Sequence, residues 1–126
     1  MKPPIIVDES GSIDIFETVE DAENYLEVPD IENGIYIIYD RNGTILTQTV
    51  GEKEFERQSF LFFRTKYCAQ DVIIKNGTEK DPERLKMLLK SSIAFMEERK
   101  GLGHRDEHDD LETLLARAID LEGYTR

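Results

Sequence analysis

Apolar residues along this chain keep two rhythms, alternation in the first half and a spacing near 3.6 in the last third, and the change predicts strands giving way to helices. Ile5 to Val7, the turn-forming Asp8-Glu9-Ser10-Gly11-Ser12 and then Ile13, Ile15 and Phe16 predict a hairpin. Thr18 predicts a helix start: its hydroxyl can accept from first-turn N–H groups, and Glu20 and Asp21 sit at the positive dipole end. Val19, Ala22 and Leu26 form the apolar stripe of this helix, which is expected to stop before Pro29.

Ile35 to Tyr39, then Asp40-Arg41-Asn42-Gly43, then Thr44 to Val50 predict a second antiparallel hairpin, because Asn-Gly tolerates the positive φ of a tight turn. Phe60 to Phe63 with Thr65 and Tyr67 suits a strand or part of a helix from near Glu52; strand is preferred, with Val72 to Lys75 as another. Asp81-Pro82 is an N-cap followed by a proline where its missing N–H costs nothing, and Leu85, Leu88, Leu89, Ile93 and Met96 share one face of a helix ending at Gly101. Leu111, Leu114, Leu115, Ala118 and Ile119 repeat the pattern in a last helix, Asp106 to Glu122, that stops at Gly123. Strands first and two helices last predict one α+β domain over residues 1–126, a mainly antiparallel sheet with helices packed on one face.

Charge adds a gradient to this plan. The net charge is −11 over 126 residues, and the first thirty-four hold one basic side chain, Lys2, against ten acidic ones. Residues 35 to 100 hold twelve basic against ten acidic. A field so placed favours a cationic partner and repels nucleic acid and anionic membranes, over a Debye length of ~8 Å in cells. Cys68 is the one cysteine, so no intramolecular disulfide forms, and a reducing compartment, the cytoplasm, is expected. The apolar run at the N-terminus is too short for a signal peptide and no stretch reaches a membrane-spanning length. Asn42-Gly43-Thr44 and Asn76-Gly77-Thr78 match the glycosylation acceptor pattern, but without secretion they read as turns.

Catalytic signatures are few. His104-Arg105-Asp106-Glu107-His108 matches H-x-x-E-H, in which two histidines one helical turn apart hold zinc and the glutamate works on its bound water. Such a site needs a further ligand downstream, and no histidine or cysteine follows, so the stretch reads as an ordinary acidic helix start. Ser10, Ser12 and Ser59 lack a nucleophile-elbow setting, Cys68 has no nearby histidine, and there is no glycine-rich phosphate loop. No enzyme activity, metal or cofactor is expected.

On the first helix Glu20, Glu23 and Glu27 fall at i, i+3 and i+7 opposite Val19, Ala22 and Leu26, where each like-charge pair costs ~0.2 to 0.5 kcal/mol. Glu27 sits at the unfavourable end of the dipole, so helix stability does not account for it. The alternative is a solvated face kept for solubility. As a binding face, Glu20, Glu23 and Glu27 would supply charge with Asp8, Asp30 and Glu32 as neighbours, and Tyr25, Tyr36 and Tyr124 are candidate aromatic anchors.

Val7-x-Glu9-x-Gly11, Phe16-x-Thr18-Val19-Glu20-x-Ala22-Glu23-x-Tyr25-Leu26-Glu27, Asp30-x-x-Asn33-x-x-Tyr36 and Tyr39-Asp40-x-x-Gly43 together resemble a family of small acidic bacterial immunity proteins encoded beside polymorphic or contact-dependent toxins. The resemblance covers about the first third of the chain. It implies stoichiometric binding of one cognate toxin domain, basic and acting in the cytoplasm as a nuclease or on translation. Two other functions compete with it: an acidic nucleic-acid mimic or regulatory adaptor for basic proteins, and a metal-dependent hydrolase at His104 and His108.

Overall fold

The computed structural model of the chain describes residues 1–52, 70–103 and 110–125. Strands β1 (Ile5–Glu9) and β2 (Ser12–Phe16) form the expected hairpin, Val7 opposite Asp14, through Ser10 and Gly11 at φ 52° and 96°, the pair of positive angles of a type I′ turn. Helices α1 (Val19–Tyr25) and α2 (Val28–Glu32) lead to β3 (Tyr36–Tyr39), then β4 (Thr47–Glu52) and β5 (Gln70–Lys75), and helices α3 (Pro82–Arg99) and α4 (Leu111–Glu122) follow. The three-stranded antiparallel sheet has the order β2-β1-β3, and β4 and β5 pair in a second, two-stranded one. The fold is α+β.

Helices cover both faces of the three-stranded sheet, which corrects the expectation of one. Central strand β1 is apolar at three consecutive positions, and consecutive side chains point to opposite faces, so both need cover. Ile6, Ile15 and Tyr39 meet Leu85, Leu89, Ile93 and Met96 of α3 and Leu114, Leu115, Ala118 and Leu121 of α4. Ile5, Val7, Phe16 and Ile38 on the other face meet Ala22 of α1, Leu26, Leu46, and Val72 and Ile74 of β5. Each such side chain, fully buried, contributes ~1.5 to 3 kcal/mol by leaving water.

The Asn42-Gly43 turn forms, but the hairpin beyond it does not. Gly43 takes φ 82°, and Asp40 Oδ1 accepts the N–H of Asn42 at 2.9 Å and of Thr44 at 3.1 Å. Strand β3 takes β1 as its ladder partner, a single isolated bridge, Tyr39 to Ile45, spans the turn among the described residues, and from Thr47 the chain pairs with β5. Contacts to the approach of α3 divert it: Ile45 N–H donates to the Glu79 carbonyl at 2.8 Å and Asp81 N–H to the Gly43 carbonyl at 2.9 Å. Gly43 also admits Pro82, whose Cα would lie 2.6 Å from any Cβ placed there.

The two long helices follow their sequence signals. Asp81 accepts the Arg84 N–H, Pro82 opens α3, and Gly101 follows its end at φ 70°. Helix α4 opens later than expected, at Leu111 with Asp110 accepting the Thr113 N–H, and closes at Gly123. Between the helices Glu97, 1% exposed, accepts from Arg117 at 3.2 Å, and Lys100 Nζ donates to the Leu121 carbonyl at 2.6 Å. No helix among the described residues is long and apolar enough to cross a membrane. The expected strand Phe60 to Phe63, Cys68 and the His104 to His108 motif lie outside the described residues.

Candidate functional site

Strand β2 is an edge strand, and its end is where the chain's aromatic and acidic side chains gather. Alternation sends Asp14 and Phe16 to one face and Ile13 and Ile15 to the other. The link Glu17-Thr18 starts α1 at once, because the Thr18 hydroxyl accepts the Asp21 N–H at 3.0 Å. Two turns later Tyr25 comes back over Phe16, with ring centroids 5.0 Å apart and a tilt of 52°. Phe16 is fully buried whereas Tyr25 is 45% exposed, so the stacked pair presents one aromatic surface to solvent.

The C-terminal segment closes the other side. After Gly123 the chain turns onto β2, where the Thr125 N–H donates to the Ile15 carbonyl at 2.7 Å. Thr125 Oγ1 accepts the Ile15 N–H at 3.3 Å and donates to Asp14 Oδ1 at 3.2 Å. Tyr124 thereby packs on the core between β2 and the long helices and also lines the groove beside Phe16 and Tyr25. The result is a groove of about 420 Å³ lined by Phe16, Glu17, Asp21, Tyr25, Tyr124 and Thr125.

The field in this groove is negative. The Tyr25 phenol is held above its ordinary value first by the charge of Asp14, then by burial, then by Glu9 and Glu27. The field at this half-exposed ring thus comes from carboxylates of the β1–β2 hairpin and of the start of α2, and none of the three forms an ion pair among the described residues. A field that keeps a phenol neutral also favours any cation brought beside it. A guanidinium or ammonium group here could lie against a ring face and take charge-assisted hydrogen bonds at the rim. Tyr25 is a poor nucleophile or base in this field, and no group of three His, Cys, Asp or Glu among the described residues could hold a metal ion.

The residues proposed from sequence divide sharply. Helix α1 ends at Tyr25, because buried Leu26 turns to extended backbone (ψ 145°), and the chain restarts as α2 with Pro29 in its first turn. Glu20, Glu23 and Glu27 therefore form no single stripe, which corrects that expectation. Glu20 is exposed in the first turn of α1, and Glu27, also exposed, stands at the N-cap position of α2 without a side-chain cap bond. The Glu23 carboxylate accepts the Ile74 N–H at 2.8 Å and fastens α1 to β5. Asp8 is not a surface charge: it is 2% exposed on the central strand, accepts the Gly11 N–H at 2.7 Å and faces Arg84 at 3.9 Å. Asp30 accepts from the Tyr36 hydroxyl at 3.0 Å, Tyr36 is buried, and Glu32 is exposed. Of the three candidate tyrosines, Tyr25 and Tyr124 share the groove and Tyr36 belongs to the core.

Asp14, Phe16, Glu9, Glu17 and Asp21 were not among the contact residues expected from sequence. Alternation along β2 carried the signal for two of them, since it places Asp14 beside Phe16 on the face that α1 covers. No protein-family model matches the chain, and no curated protein or solved structure shows significant similarity to it.

Proposed function

We propose that this chain is a non-enzymatic immunity protein of the cytoplasm that binds one basic toxin domain and blocks it, with the groove between β2, α1 and the C-terminal segment as its contact surface. The observation that carries the reading is the Tyr25 ring, half in solvent, tilted against Phe16 at 5.0 Å and held neutral by the negative field of Asp14, Glu9 and Glu27. Interfaces are held by a few desolvated aromatic and arginine anchors, and charge around them sets encounter rate and specificity. Tyr25 supplies the anchor, the carboxylates the steering.

The test is co-purification with the product of the adjoining reading frame, followed by association kinetics. Glu20, Asp21 and Glu27 changed together to lysine should slow association about tenfold at low salt and flatten its salt dependence. Tyr25→Ala should raise the dissociation rate, at a cost of about 2 kcal/mol in affinity. Unchanged binding and unchanged protection of cells in the triple variant would end the proposal. Capture of many unrelated basic proteins would instead favour a nucleic-acid mimic.

A further inference from the structure

The half of the β2 edge next to the β1–β2 turn has polar backbone groups with no partner among the described residues. Ile15 turns both its N–H and its carbonyl away from β1, toward Thr125. Polar groups alternate along an antiparallel strand, so the N–H and carbonyl of Ile13 leave the sheet on the same side. Among the described residues nothing bonds them. They open into a second groove, of about 620 Å³, whose opposite wall is α3 with Ser91, Phe95 and Arg99. Phe95 is 60% exposed on that wall, with the Arg99 guanidinium 5.7 Å from its ring centre. Thr125 lines both grooves, so they meet along β2 at the C-terminal segment.

We propose that the open edge of β2 accepts an extended segment of the partner as an added strand, and that this segment alternates basic with apolar residues. The inference rests on the cationic-partner reading above and specifies its mode. Side chains of an added strand alternate between the two faces of the sheet. On one face they meet Asp14, Glu9 and Tyr25, which call for lysine or arginine; on the other they meet Ile13 and Phe95, which call for an apolar side chain. Backbone hydrogen bonds at Ile13 give affinity, and the alternation gives specificity. Charge decides against a second copy of this chain, because pairing β2 with itself would bring Asp14 and its acidic surroundings against their own duplicates.

The experiment is calorimetric titration of the full chain with an acetylated, amidated peptide of alternating arginine and valine. Its companions are a peptide of the same composition in two blocks, and two versions N-methylated at every second nitrogen in the two possible phases. Backbone pairing uses one phase and leaves the other in solvent. One methylated version should therefore lose about tenfold or more in affinity while the other stays near the parent peptide. The block peptide should be weakened similarly, and exchange of the Ile13 amide should slow on binding. Equal binding of all four peptides would overturn the added strand and leave charge-driven recognition standing. Binding by none would also overturn it, and the lysine-reversal kinetics above would then judge the cationic-partner reading by themselves.

Discussion

The α3–α4 layer and the β2–α1 rim are both rich in carboxylates and use them in opposite ways. Between the helices Arg117 bonds Glu97 at 3.2 Å, while within α4 Arg117 also bonds Asp120 at 3.4 Å and within α3 Lys86 bonds Glu83 at 3.4 Å. Along the rim, Glu9, Glu17, Glu20, Asp21 and Glu27 form no ion pair among the described residues. In the first region acidity is part of the architecture. In the second no side-chain cation among the described residues compensates it, and only the N-terminus of α1 favours Glu20 and Asp21.

The largest effect that separates the regions is expected at Arg117. Arg117→Met removes one charged partner of Glu97, which is almost wholly buried, and breaking a buried pair from one side costs ~3 to 5 kcal/mol. Chemical denaturation should show that loss, while partner binding at the rim, measured under folding conditions, should stay at the parent level. A loss below about 1 kcal/mol would mean that the helix pair does not depend on its charge in the way described.

Glu23 sharpens the contrast within a single helix. Its neighbour Glu20 is exposed, whereas the Glu23 carboxylate accepts the Ile74 N–H. Glu23→Ala should cost about 1.5 to 3 kcal/mol, the range for a hydrogen bond to a charged group, and Glu20→Ala should lie within about 0.5 kcal/mol of zero. Equal losses at the two positions would erase the distinction between structural and displayed acids.

A smaller effect comes from Tyr36, whose phenol is held above its ordinary value by burial first and then by its hydrogen bond to Asp30. The sign follows from linkage: the folded state prefers the neutral phenol, so its contribution is intact below the unfolded value of about 10 and is lost as pH climbs beyond it. Tyr36→Phe should cost about 1.5 kcal/mol at pH 7, the low end for a hydrogen bond to a charged group, because half-buried Asp30 regains water. Denaturation midpoints at pH 8 and 11 should then differ less in the variant than in the parent.

The same contrast explains what could be read from the chain. The α+β class, the β1–β2 hairpin and helices α3 and α4 were legible because their signals are local: a turn, a cap, a periodic apolar face. The Asn42-Gly43 turn was legible too, but a turn dictates φ angles, not the neighbour of the strand that leaves it, and contacts with residues 79 to 81 set that neighbour. The single-stripe expectation failed at Leu26, whose burial ends α1 one turn early. Of the residues proposed from sequence, Tyr25 and Glu27 are exposed at this rim, and Asp8 was misplaced because it reads as a turn residue, whereas β1 runs on through Glu9 and buries it. The groove shared by Tyr25 and Tyr124 brings together residues about a hundred positions apart, and nothing periodic announces it.

The smallest effect is the most diagnostic. Replacing Glu20, Asp21 and Glu27 by glutamine removes three displayed charges and no described hydrogen bond made by those side chains, so stability should change by no more than about 0.5 kcal/mol. Two opposed contributions set its sign. Glu20 and Asp21 are favoured by the α1 N-terminus at ~0.3 to 1 kcal/mol each at low ionic strength, and repulsion within the acidic field works against them. Salt screens both, so the parent and the variant should converge in stability as ionic strength rises. Partner association should fall in the same variant at low salt, since steering depends on the field and not on the fold. A variant that loses several kcal/mol of stability would place these carboxylates with Glu97 as structural groups, and the rim would cease to be a second region.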